Sequence, residues 1–150
     1  MKIEEALKIK SFESETQKAY INVLYTATIL KGKINLRLKS FDLTHEQFNV
    51  LRIIKGQFPN PVCVKDITDR MIDPNSNTTR ILDKLEQKQL VKRTPSERDR
   101  RELWIIITDN GLDLLNNIVV HFKQETLHQS ALSHAEASLL NNLLDKLRAD

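Results

Sequence analysis

The spacing of apolar residues changes partway through residues 77–108, NTTRILDKLEQKQLVKRTPSERDRRELWIIIT, and this change decides the fold. In the first part, Ile81, Leu82 and Leu85 recur at helical spacing, which predicts an amphipathic helix from Asn77 to Lys88. The segments "LVKRT" and "ELWIIIT" that follow are rich in β-branched residues, which predicts two strands. The stretch is therefore a helix followed by a β-hairpin.

The hairpin tip, "PSERDRR", lies in a strongly basic part of the chain. Between Lys88 and Arg101 there are six basic and two acidic residues, which gives a local net charge of +4. Taken alone, such a tip is a solvated turn. In a DNA-binding context, an arginine at the tip can enter the narrow, electronegative minor groove instead.

Two further helices are predicted upstream, within the same module. Thr44 and Gln47 form a capping box ahead of a helix that stops at Gly56. The segment "CVKDITDRM" has the spacing of a helix of about two turns, with Cys63 at its cap position. Three helices followed by a two-stranded wing make a winged helix-turn-helix, in which the helix before the wing enters the major groove.

The helices outside this module carry apolar residues that the module does not need. A single long helix is predicted over about 4–31, ending near Gly32, and Thr108 can cap a helix that begins at residue 109. Ser133 and Glu136 form a capping box ahead of a leucine-rich last helix. Pairing with a second copy of the chain would cover these surfaces. The residues predicted to form the dimer interface are Phe12, Tyr20, Leu24, Leu139, Leu143 and Leu147.

The predicted architecture is mainly α with a small β-hairpin wing. Residues 1–150 are expected to form one domain, with the winged helix-turn-helix module over about 43–108. The dimerisation helices are predicted over about 4–31 and 109–148.

Composition excludes several classes of protein. The chain has 150 residues, 40% of them hydrophobic, a net charge of +3 and one cysteine. It has no apolar stretch of membrane-spanning length and no apolar leader block, so a cytoplasmic protein without a membrane partner is expected. There is no glycine-rich phosphate loop and no nucleophile elbow, so we expect neither an enzyme nor a cofactor.

The residues predicted to contact DNA fall into two groups. Arg80 and Asn77 are the candidates for reading base edges, because arginine pairs with guanine and asparagine with adenine. The alternative is that this polar end is only a capped helix start, where Asn, Ser and Thr are common for that reason alone. The recognition-helix group is Ser76, Asn77, Thr78, Thr79, Arg80 and Lys84, and the wing group is Arg93, Arg98, Asp99, Arg100 and Arg101. Lys84, Lys88, Lys92 and Arg93 would add salt-sensitive phosphate contacts.

Two other interpretations of these patterns are less favoured. His121, Glu125 and His128 share a helix face, but no dense cluster of ligands accompanies them and no metal site is predicted. A winged helix can also bind another protein without sequence-specific DNA binding. That alternative would be favoured by an apolar recognition face, whereas this face carries Asn, Ser, Thr, Arg and Lys.

Over nearly its whole length the chain resembles the MarR family of transcriptional regulators. The stretch "DRRELWIIITDNG" matches the family's wing motif at Asp99, Arg100, Arg101, Thr108 and Gly111, with Ile107 in place of leucine. The stretch "NSNTTRILDKLEQKQLVKR" is similar to the family's recognition helix. One departure is Gln89, where the family usually has glycine. Gln89 would either adopt a left-handed conformation at a cost of about 1 kcal/mol or end the helix differently.

The resemblance implies a homodimer, joined through its first and last helices, that binds pseudo-palindromic double-stranded DNA. Repression is the commoner mode in the family, and release by a small-molecule effector or by oxidation is common. Within the wing, Asp99 would orient an arginine, and Arg100 or Arg101 would insert. Some relatives sense oxidants through a cysteine, which raises a redox role for Cys63. Against that role, no second cysteine is present to resolve a sulfenic acid, so a structural cysteine is favoured.

Overall fold

A computed structural model describes residues 1–95, 103–124 and 132–149. The chain divides into two compact units, Met1–Leu114 and Leu115–Asp150. The elements in chain order are α1 (Ile3–Leu7), α2 (Glu15–Leu38), a 3-10 turn (Lys39–Phe41), α3 (His45–Lys55), β1 (Val62–Cys63), α4 (Val64–Thr68), α5 (Thr78–Gln87), β2 (Val91–Pro95), β3 (Leu103–Ile107), α6 (Asp109–Gln124) and α7 (His134–Arg148). The predicted class, mainly helical with a small β wing, is confirmed.

The core of the first unit lies between α3, α5 and the sheet. Leu51, Ile54, Leu82, Leu85 and Ile105 are fully buried there. Each such side chain stabilises the fold by about 1.5–3 kcal/mol. Because the apolar face of α5 is used inside, Thr79 and Arg80 in its first turn face solvent.

The sheet has three antiparallel strands in the order β1-β3-β2. The predicted hairpin is β2 with β3, in a register that pairs Val91 with Ile107 and Pro95 with Leu103. The additional strand β1 pairs Val62 with Ile105 and was not predicted. Two residues are too few for a periodic pattern, and their pairing partner lies about forty residues away along the chain.

The prediction of one helix over about 4–31 was wrong at both ends. Helix α1 ends where Lys8 adopts a left-handed conformation (φ 55°), and α2 begins after Ser14, whose hydroxyl accepts a hydrogen bond from the Gln17 amide at 3.1 Å. Helix α2 then continues through Gly32 to Leu38, which is fully buried. Burial of Leu38 offsets the cost of about 1 kcal/mol that a glycine brings to a helix interior.

The end of α5 is joined to the start of α6 by a junction of four residues, Gln89, Leu90, Thr108 and Gly111. Gln89 is left-handed (φ 58°), the first of the two conformations anticipated for it. The Thr108 hydroxyl donates to the Gln89 carbonyl at 2.7 Å, and the Thr108 amide donates to the Leu90 carbonyl at 3.0 Å. The Gly111 amide donates to the same hydroxyl at 3.1 Å, so the predicted capping role of Thr108 is confirmed.

Candidate nucleic-acid interface

The N-terminal end of α5 presents polar side chains on a fixed backbone. Asn77 is the N-cap, and its side-chain oxygen accepts a hydrogen bond from the Arg80 amide at 3.0 Å. This satisfies one of the amides that a helix start leaves without a partner. The side chains of Thr79 and Arg80 are exposed on the first turn. The predicted helix from Asn77 to Lys88 is thus confirmed with its cap.

Next to this end of α5 lies the start of α3, which is held by the predicted capping box. The Gln47 amide donates to the Thr44 hydroxyl and the Thr44 amide donates to the Gln47 side-chain oxygen, each at 3.2 Å. Between the two helix starts is an open groove of about 400 Å³, here called the α3–α5 groove. It is lined by Thr44, Glu46, Gln47, Ser76, Asn77, Arg80, Ile81 and Lys84. Two cations and several hydrogen-bonding groups therefore converge on one concave surface.

The acidic residue of the groove is paired with a lysine of the long helix. The Nζ of Lys31 in α2 lies 2.9 Å from the Oε1 of Glu46. Lys31, with help from backbone and Thr44 hydrogen bonds, lowers the pKa of Glu46 to about 2, against a smaller opposing effect of burial. Glu46 is therefore ionised at neutral pH, and its charge is compensated by Lys31.

We expect Lys31→Gln to remove a pH-dependent part of the stability. Because the folded-state pKa of Glu46 is below its ordinary value of 4.5, its contribution is complete above about pH 4.5 and is lost as the pH falls towards 2. The pair is partly exposed, so the expected loss at neutral pH is at most about 1 kcal/mol. Urea unfolding of both proteins, from neutral pH down towards pH 2, measures the difference.

Lys33→Gln is the matched control, since it removes the same charge two residues further along α2. The prediction requires that the gap between Lys31→Gln and the wild type close with falling pH, and that the control show no such trend. A gap that is constant with pH would contradict it.

Two residues of the predicted recognition group have internal roles. Thr78 is only 5% exposed, and its hydroxyl oxygen accepts a hydrogen bond from the Thr68 hydroxyl at 2.9 Å. That bond joins α4 to α5 and turns Thr78 away from solvent, so we leave it out of the proposed DNA contacts. For Asn77 the capping role is present, and base reading stays a prediction.

The wing residue Arg93 is bonded to the recognition helix. Its side chain is 19% exposed, with Nη2 at 2.7 Å from the Asp83 Oδ1 and Nη1 at 3.0 Å from the Glu86 Oε2. A DNA contact was predicted at this position, and these acidic partners were not. The other predicted wing residues, Arg98, Asp99, Arg100 and Arg101, lie outside the described residues.

Cys63 occupies the predicted cap position of α4. Its Sγ accepts a hydrogen bond from the Asp66 amide at 3.4 Å, and the residue is half-buried. A redox role stays a prediction. Glu125 and His128 lie outside the described residues, and in the part of the chain that is described no three metal-ligating side chains come together.

Both outer helices expose apolar residues. On α2, Tyr20 is 52% and Leu24 is 69% exposed, and on α7, Leu139 is 58% and Leu143 is 54% exposed. Phe12 and Leu147 are partly buried. The predicted capping box of α7 is confirmed, with the Glu136 amide donating to the Ser133 hydroxyl at 3.3 Å. None of the described helices is both long and apolar enough to cross a membrane.

The acidic partners of several basic residues in and around α5 were not predicted from the sequence. They are Glu46 for Lys31, Asp83 and Glu86 for Arg93, and Asp42 for Lys88, whose Nζ lies 2.9 Å from the Asp42 Oδ2. Each pair joins two different elements. The only available signal was the presence of opposite charges at the edges of neighbouring predicted elements, which does not identify pairs.

Comparison with known proteins agrees with this geometry. Residues 43–103 match the model of the MarR family. The chain is 32% identical over 113 residues to the HTH-type transcriptional regulator MgrA of Staphylococcus aureus, covering 75% of each protein. The S. aureus MepR–DNA complex is 25% identical with a TM-score of 0.71, covering 86% of this chain and 93% of that one. A MarR mutant from E. coli in complex with operator DNA is similar in fold, with a TM-score of 0.77 at 24% identity over 93% of this chain and 100% of that one.

Proposed function

Since this chain belongs to the MarR family and is a DNA-binding transcriptional regulator, we propose that it is a repressor that binds a pseudo-palindromic site in double-stranded DNA as a homodimer. A small-molecule effector or another signal releases it. The observation that carries the proposal is the solvent-facing polar start of α5, set on a fully buried apolar core, with Arg80 and Lys84 lining the α3–α5 groove.

The proposed contacts divide between bases and phosphates. Arg80 reads a guanine through two hydrogen bonds, with Asn77 as a second base-reading residue. Ser76, Thr79 and Lys84 bind phosphate, which fixes the register of α5 on the duplex. In the wing, Asp99 orients an arginine and Arg100 or Arg101 enters the minor groove, with Arg98 adding positive charge. That MepR was crystallised with DNA supports this use of the fold.

The homodimer is proposed because both outer helices expose leucines and other apolar residues. Leu139 and Leu143 lie four residues apart on α7 and so share a face. A second copy of the chain would cover this face and the exposed residues of α2, Tyr20 and Leu24. Two copies also fit a two-fold-related DNA site, because each presents one recognition helix.

We expect Leu139→Glu combined with Leu143→Glu to convert the dimer into a folded monomer. The two positions are exposed in the single chain, so a charge there costs little before association. In a dimer the charges would be buried without partners, at a cost of about 3 kcal/mol or more. Sedimentation velocity measures the change in mass. Asn141→Glu adds a charge at an exposed position on the opposite face of α7 and is expected to leave the dimer intact. A double variant that still sediments as a dimer would contradict this interface.

The proposed function is tested by selecting bound sequences from random double-stranded DNA. Repeated enrichment of a two-fold-related site with half-sites about one helical turn apart, bound far more tightly than a scrambled sequence, is the expected result. Transcription from a promoter overlapping that site should then fall when the protein is added. Binding that is equally weak on both sequences and vanishes alike as salt rises would favour the alternative, a winged helix that recognises a protein partner.

A further inference from the structure

Arg93 bonds to the recognition helix through both its side chain and its backbone. Its Nη2 lies 2.7 Å from the Asp83 Oδ1 and also donates to the Thr79 carbonyl at 3.4 Å. Its Nη1 and its backbone amide donate to the two carboxylate oxygens of Glu86, at 3.0 and 3.3 Å. A single strand residue thus contacts three positions along α5, spread over two helical turns.

In these contacts the arginine side chain is less exposed to solvent than the side chains of its two acidic partners. The Arg93 side chain is 19% exposed, while those of Asp83 and Glu86 are 48% and 40% exposed. A planar guanidinium that bridges two carboxylates is held more firmly than a single exposed ion pair. Arg93 therefore fixes β2, the first strand of the wing, to one face of α5.

The contacts also determine the charge of the DNA-facing helix. Asp83 and Glu86 place two negative charges on α5 beside the cations that we propose to meet DNA, and Arg93 compensates for one of them. Asp83 lies three residues after Arg80, close enough on a helix to form an ion pair with it. With its carboxylate bonded to Arg93, Asp83 does not compete with DNA for the Arg80 guanidinium.

We propose that Arg93 is a positioning residue for DNA recognition, which binds Asp83 and Glu86 so that α5 keeps a fixed angle to the wing and Arg80 stays available to a base. This inference rests on the proposed DNA-binding function. It replaces the phosphate contact that the sequence alone suggested for Arg93. The two roles differ in what happens when the acidic partners are neutralised.

The test compares Arg93→Gln with Asp83→Asn/Glu86→Gln and with the triple variant, on the site selected by the wild-type protein and on a scrambled sequence. We expect Arg93→Gln to weaken binding to the selected site by about tenfold, the size of one lost base contact, and to weaken binding to the scramble much less. The triple variant should recover part of this loss, because Asp83→Asn and Glu86→Gln remove the charges that would compete for Arg80 but do not restore the fixed angle between α5 and the wing. The dependence of binding on salt should stay at its wild-type slope.

Lys92→Gln is the matched control, since it removes the same charge from the adjacent residue of β2, whose side chain points to the opposite face. Its effect should be equal on both DNA sequences and should not be recovered by neutralising Asp83 and Glu86. Arg93→Lys keeps the charge without the planar fork and should lose discrimination between the two sequences. It serves as the second variant if Arg93→Gln fails to fold, which circular dichroism would reveal.

The inference is overturned if Arg93→Gln weakens binding to both sequences alike, lowers the salt slope by about 0.9 and is not recovered in the triple variant, which is the behaviour of a phosphate contact. The wild-type protein separates this failure from that of the proposed function. If the wild type enriches no DNA site, the proposed function fails and the inference with it. If the wild type binds its site and only the recovery is missing, the inference alone fails.

Discussion

Gly111→Ala is expected to destabilise the protein by about 3 kcal/mol, at the top of the usual range for an overpacked site. A Cβ at this position would lie 2.3 Å from the Leu90 carbonyl oxygen and 2.7 Å from the Ile107 Cγ1. The carbonyl cannot easily retreat, because it already accepts the Thr108 amide at 3.0 Å. The variant must therefore move the start of α6 away from the end of α5, which breaks the junction between them.

Gly32→Ala is the matched control for this experiment. Gly32 lies within α2, and a Cβ there would meet nothing within 4 Å in the single chain. Alanine is the better helix former, so this variant should be more stable than the wild type by up to about 1 kcal/mol. Urea unfolding followed by circular dichroism measures both. If Gly111→Ala were as stable as the wild type, the junction would be far more compliant than its hydrogen bonds indicate.

Arg80→Ala is expected to produce the largest loss of DNA affinity among single substitutions of α5, about 1–3 kcal/mol on the selected site. The Arg80 side chain is exposed and lines the α3–α5 groove, while its backbone amide is bonded to the Asn77 cap. Removal of the side chain should therefore leave the helix intact. It should also relax the sequence preference at one base pair of each half-site.

The measurement is a binding titration on the selected site and on variants of it changed at one base pair. Lys84→Ala is the comparison, because a phosphate-contacting lysine should weaken binding to all of these sequences alike and reduce the salt slope by about 1. Arg148→Ala, at an exposed position of α7 on the face opposite Leu139, should change neither. An Arg80→Ala protein that keeps its full sequence preference would remove Arg80 from base reading.

Several elements could be predicted from the sequence because the signals that specify them are local. The capping boxes at Thr44 and Ser133 and the cap at Asn77 each depend on residues within three positions of one another. The hairpin was visible because β-branched residues follow a helical period directly. These interactions form between neighbours in the chain, so a short window contains their whole cause.

Other features depended on residues that are distant in the chain. Gly32, with the neighbouring Lys31 and Lys33, indicated a helix end. In the structure α2 continues to Leu38, whose side chain is fully buried. Strand β1 exists because β3 pairs with it. The sequence likewise indicated Arg93 as a DNA contact, since a basic residue in a basic segment shows no sign of acidic partners on another element.

The sequence by itself determined the order of the helices and the hairpin, the polar start of α5 and the family to which the chain belongs. Helical period, capping and turn chemistry act over a few residues and need no information from elsewhere. Only the tertiary structure decided which charges are left for DNA. In the folded chain, ion pairs join Arg93 to Asp83 and Glu86, Lys31 to Glu46, and Lys88 to Asp42. An ion pair depends on a separation of a few ångströms between side chains, and packing sets that separation.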